Sequence, residues 1–153
     1  MDFNLEKFLK RYVWDDEKTP YFTPSRKLNR RQAHFEALAY SVFVCVLFGA
    51  VALASLTGAG GQPRAEGVAL YGFTIICAGV IFGFTKHYYA ALWLSTAPAG
   101  AIGYLLVYGF KPKWAGIDQA VVIAFVLVWI FYSIRIVAIG RRFEHMSDGP
   151  TQS

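Results

Sequence analysis

Between Ala37 and Ile134 the chain carries only six formal charges: Arg64, Glu66, Lys86, Lys111, Lys113 and Asp118. They fall at three places, and those places separate four long apolar runs, about Ala37 to Leu56, Val68 to Thr85, Tyr88 to Phe110 and Ala120 to Ile139. A helix needs about 20 mainly apolar residues to cross the hydrocarbon core of a bilayer. Each run is close to that length. Buried helices of soluble domains rarely follow one another four times at this polarity. Composition points the same way: 56% of the 153 residues are apolar and 16% charged, against roughly 25% charged in globular chains. The fold class is therefore all-α, an integral membrane bundle of four transmembrane helices. Connections of about ten residues or fewer make consecutive spans antiparallel neighbours.

Lysine and arginine set the orientation. One side holds Lys7, Lys10, Arg11, Lys18, Arg26, Lys27, Arg30, Arg31, Lys86, Arg135, Arg141 and Arg142, the other only Arg64, Lys111 and Lys113. Twelve against three places both termini in the cytoplasm, most simply of a bacterial inner membrane. Tyr40, Tyr88, Tyr89, Trp93, Trp129 and Tyr132 then fall near the inner interface, and Tyr71, Tyr108 and Trp114 near the outer one, as an aromatic belt requires. The net charge of +5 flanks apolar segments instead of lining a polar face, so its partner is membrane lipid and not nucleic acid. Residues 1–36 read as a cytoplasmic leader, 37–140 as the transmembrane domain and 141–153 as a disordered cytoplasmic tail.

The leader opens with an amphipathic pattern. Leu5, Phe8, Leu9, Tyr12 and Val13 share one helical face, with Glu6, Lys7, Lys10 and Arg11 opposite. Such a short helix gains its stability from the headgroup region or a docking partner. The proline-bounded connector that follows presents Tyr21 and Phe22, where a partner or the headgroups could hold them.

Helices in a bilayer associate through close packing and polar contacts, which favours small residues at interfaces. Gly79 and Gly83 in the second run, and Ala91, Ser95, Ala99 and Gly103 in the third, have that spacing. The expected result is a tight hairpin between those two spans, joined by Gly72 and by Gly116, Ala120 and Ala124 of the fourth. Pro98 removes the helical donor for the carbonyl of Leu94, for which Ser95 or Thr96 could compensate. It marks either a fixed kink or a hinge of the kind transporters use.

Two charges lie near the hydrocarbon boundary, Glu36 and Arg135. Both belong to the cytoplasmic half and can pair across the bundle, snorkel separately, or relay a proton or anion. His34, His87 and His145 lie on the same side without a ligand motif. Cys45 and Cys77 read as small buried hydrophobes. No phosphate loop, dinucleotide fingerprint, zinc pattern or legible nucleophile and base is present. The run Arg30 to Glu36 precedes the first span and lacks an asparagine, which sets it apart from the small four-helix membrane enzymes of eicosanoid and glutathione metabolism.

The leading expectation is a small non-catalytic accessory, stabilising or assembly subunit of a larger membrane complex, without cofactor or metal and with other membrane subunits as partners. An oligomeric small transporter or channel is the alternative, with a path along Ser95, Thr96 and Thr74. A membrane enzyme or cofactor-binding protein using the cytoplasmic rim is the third.

Overall fold

The computed structural model describes residues 28–58, 65–109 and 116–146. Among them there is no strand. The helices are α1 (Arg30–Thr57), α2 (Glu66–Thr85), α3 (Tyr88–Leu94), α4 (Ala97–Tyr108) and α5 (Gly116–Arg142), followed by a 3-10 turn at Phe143–His145. α3 and α4 are the two halves of one span. Four helical stretches are thus long and apolar enough to cross a membrane, and the chain is an all-α, multi-pass membrane protein. The amphipathic leader helix, Tyr21, Phe22 and the tail beyond Met146 lie outside the described residues.

α1 starts two turns before the first apolar run. Asn29 is its N-cap: the side chain accepts a hydrogen bond from the Gln32 backbone N–H at 2.9 Å, and the Gln32 side chain accepts one from the Asn29 N–H at 3.2 Å. This reciprocal box satisfies two of the donors that a helix start leaves open. At ~1.5 Å per residue the helix reaches ~42 Å, longer than the ~30 Å hydrocarbon core. Its first turns therefore project into the headgroup region, carrying Arg30, Arg31 and His34 on rigid backbone. Gly58 ends α1 in the left-handed conformation at φ 69°.

The tight hairpin is α1 with α2. A Cβ on Gly72 would stand 3.3 Å from the Ala52 Cβ, and one on Gly79 would stand 2.6 Å from the Cys45 sulfur. One on Gly83 would meet the Ser41 Cβ at 3.4 Å. The expected pairing of the second and third spans is corrected accordingly: Gly79 and Gly83 turn mainly to α1, and only Gly79 also borders α3, at Leu94. Ala99 and Gly103 are exposed. Their four-residue spacing presumes one continuous helix, and the third span breaks at Ser95 and Thr96.

α5 also differs from expectation. Gly116, Ala120 and Ala124 are exposed, and the close approach is made at the other end by Gly140, whose Cβ would lie 3.0 Å from that of Ala91. Arg141 to Met146, assigned to a disordered tail, continues instead as helix and 3-10 turn, and Phe143 packs against the core. The Arg30 guanidinium lies 5.4 Å from the centre of the Phe143 ring.

The core is concentrated in the half of the bundle that carries this basic rim. Val44, Ile75, Phe82, Leu94, Ile136 and Ile139 are fully buried there. Toward the distal end, where α1 stops and α5 starts, α4 exposes Ile102, Leu106 and Val107, and α5 exposes Ile117, Val121 and Phe125.

Candidate functional site

At the basic rim α1 and α5 are joined by Glu36 and Arg135. Arg135 Nε donates to Glu36 Oε1 at 2.5 Å and Nη2 to Oε2 at 2.9 Å, a two-pronged contact. The Glu36 side chain is 5% exposed and that of Arg135 is 19% exposed. Two parallel charge-assisted bonds match the planar fork of guanidinium to carboxylate. The pair binds the two helices together.

One and two turns deeper the same helices share a hydroxyl network. Trp129 Nε1 donates to the Tyr40 hydroxyl at 3.1 Å, and Tyr40 and Ser133 are 2.8 Å apart. Ser133 gives its hydrogen to the Trp129 carbonyl oxygen at 2.9 Å, so Tyr40 gives its own to Ser133. Every donor in this chain is used. Tyr40 and Trp129, expected as interfacial belt residues, are thus buried in the bundle, whereas Tyr88, Tyr89 and Trp93 are exposed as a belt requires. No pattern of one apolar run could have shown this, because the partners come from the first and last spans.

Lys86 is the one described non-glycine residue with positive φ, at 56°. It caps α2 in the left-handed conformation usually taken by glycine, and its ammonium donates to the Gly83 carbonyl oxygen. A cation suits the carbonyl-rich end of a helix. The residue is 3% exposed, and burial holds its pKa below the ordinary lysine value by disfavouring the charged form.

The break in the third span precedes Pro98, which then sits in the first turn of α4, where its missing N–H is tolerated. Ser95 Oγ donates to the Leu92 carbonyl at 2.7 Å and Thr96 Oγ1 to that of Trp93 at 2.7 Å. The hydroxyls therefore serve carbonyls preceding Leu94. Tyr71 of α2 donates to the Thr96 carbonyl oxygen at 2.9 Å, tying the break to its neighbour. Gly100 makes room for that ring, since a Cβ there would be 2.5 Å from Tyr71 Cε1.

Above this tie, toward the distal end, lies a cavity of 760 Å³ between α1, α2, α4 and α5. Its wall is almost wholly apolar and includes Phe48, Tyr71, Gly103, Tyr104, Val122 and Trp129. A Cβ on Gly103 would meet nothing within 4 Å. A second, smaller cavity of 420 Å³ opens at the basic rim, lined by Arg30, Arg31, His34, Phe35 and Phe143.

The described residues contain no cluster of three or more His, Cys, Asp or Glu able to hold a metal ion. His34 packs edge-on to Phe35 and His87 stacks on Tyr89. Cys45 donates weakly to the Ile76 carbonyl at 3.6 Å, whereas Cys77 is exposed on the bundle surface instead of buried. No known protein family, curated protein or solved structure matches the chain. The distal and basic-rim cavities are suited to binding and packing.

Proposed function

We propose that this chain is a small non-catalytic accessory subunit of a larger membrane complex, and that its distal cleft receives a transmembrane helix of a partner subunit. The observation that carries the reading is Gly103. In the packed half of the bundle, Gly79 and Gly140 admit neighbouring helices; Gly103, in the wall of the distal cleft, offers the same close approach with no described residue within 4 Å of where its Cβ would stand. Small residues on an open face are what a second membrane helix packs against. The polar side chains of the packed half bond one another, which fits a structural role. We place the chain in a bacterial inner membrane with both termini cytoplasmic, on the strength of the twelve-to-three bias in lysine and arginine.

The test is the native mass of the tagged protein in mild detergent, with identification of what accompanies it. A photo-crosslinking residue at Val107, exposed on α4 and lining the cleft, is expected to capture a foreign membrane subunit present in stoichiometric amount. Recovery of a monomer or a homo-oligomer, with only lipid crosslinked, overturns the accessory role.

The broken third span favours transport as a second reading. The polar groups along the expected path are committed, however: Thr74 of α2 bonds the Tyr71 carbonyl, as Ser95 and Thr96 bond theirs. Flux into proteoliposomes abolished by a bulky residue at Gly103 is the result that would replace the accessory role by transport.

A further inference from the structure

The smaller cavity, at the basic rim, has a different chemistry from the distal cleft. Arg30, Arg31 and His34 occupy positions i, i+1 and i+4 of α1, so Arg30 and Arg31 each neighbour His34 one turn on. Phe143, arriving from the end of α5, lies beneath the Arg30 guanidinium at 5.4 Å. Phe35 closes another side and is itself 39% exposed, turned to the surface where the apolar part of α1 begins. The cavity of 420 Å³ is thus bounded by two guanidiniums and an imidazole, with an aromatic wall toward the hydrocarbon.

We propose that this cavity is a binding site for the phosphate of an anionic phospholipid. Guanidinium is the side chain best matched to phosphate oxygens, which it binds in a two-pronged fork. Recognition rests on side chains, because the Asn29 and Gln32 box already occupies N–H groups at the start of α1. Of the described carboxylates at this rim, Glu36 is engaged by Arg135 and Glu144 lies exposed in the turn after α5. Among the described residues, the side chains lining the cavity include two arginines and no carboxylate. Its position at the end of the apolar run and the exposed face of Phe35 select a lipid over a soluble phosphate: the ester is held by the guanidiniums while its acyl chains continue down the outside of α1, past Leu38 and Val42, both exposed. The inference is independent of whether a partner helix fills the distal cleft.

The test uses the full chain in nanodiscs of phosphatidylcholine doped with phosphatidylglycerol, with retained lipid read by native mass spectrometry. Phosphatidylglycerol should remain bound to the wild type in preference to phosphatidylcholine. Arg31→Gln, which leaves the Arg30–Phe143 contact in place, should weaken retention about fivefold, and the double Arg30→Gln/Arg31→Gln variant roughly thirtyfold. Arg141→Gln/Arg142→Gln removes equal charge from the same rim, outside the cavity, and should leave retention near the wild-type level. Equal losses in the two double variants would reduce the effect to diffuse surface charge and overturn the site. Inorganic phosphate at matched ionic strength, stabilising the protein in neutral detergent as well as phosphatidylglycerol does, would overturn the lipid assignment. The single variant keeps the test decisive if the double variant fails to fold.

Discussion

Glu36 and Arg135 stand 99 residues apart in the chain and meet through two parallel hydrogen bonds at the basic rim, the first span clasping the last. Their environments are unequal. The carboxylate is nearly enclosed, whereas the guanidinium keeps a route to the surface. Removing one partner of a buried pair leaves the other uncompensated, at a cost of about 3–5 kcal/mol. Arg135→Ala should approach that figure, because it strands Glu36. Glu36→Ala should cost less, because Arg135 can extend toward the headgroups. Unfolding in mixed micelles measures both, and equal small losses would show that the pair does not hold the bundle.

The contact of Gly79 with Cys45 yields a coupled prediction. Gly79→Ala forces a methyl to 2.6 Å from the sulfur, and overpacking of this kind typically costs about 1–3 kcal/mol. In a Cys45→Ala background the same change should cost distinctly less, since the obstructing atom is gone. A double-mutant cycle reads the difference directly. Gly103→Ala is the control: with open space around it, the isolated chain should keep or slightly gain stability from the better helix former. If Gly79→Ala is equally harmless in the wild-type background, the close approach of α1 and α2 is refuted.

Tyr71 and Gly100 act on the helix break together. Tyr71→Phe removes the donor to the Thr96 carbonyl, and Gly100→Ala displaces the ring that carries it. Each should destabilise by about 1–3 kcal/mol. The double variant should be little worse than either alone, because both remove the same tie. Additive losses in thermal melts would show the two residues to be independent.

Lys86 gives the protein a pH dependence of determined sign. Its folded pKa lies below the ordinary value, so between the two the unfolded chain binds more protons than the folded one. Stability then rises with pH across that window, up to the ordinary lysine value near 10.5. Melting of the wild type should therefore gain from alkaline conditions relative to Lys86→Met, which lacks the titrating group. A difference between the two proteins that stays flat with pH, or falls, contradicts this account of the buried ammonium.

Much of the architecture was legible because the bilayer imposes it. The clustering of charge at three breaks located all four spans, whereas the start of α1 at Arg30, two turns before the first apolar run, emerged only with the Asn29 and Gln32 cap. The potential partnership of Glu36 and Arg135 could be framed from their shared depth and opposite charge. The lateral arrangement was not legible. Val44 and Val46 are equally apolar, yet one is fully buried and the other 68% exposed, because lipid accepts what the core accepts. Hydropathy therefore gave no sign that Tyr40 and Trp129 turn inward, or that Gly79 faces α1 while Gly103 faces open space.

Length, apolarity and the placement of charge determined from the sequence alone that this is a four-span membrane protein, since every backbone polar group in hydrocarbon must be satisfied within a helix. Which helices touch, where the third span breaks, and where the distal and basic-rim cavities open were decided only by the tertiary structure. Those outcomes depend on side chains from distant segments meeting at a few ångströms, and on shape rather than on polarity.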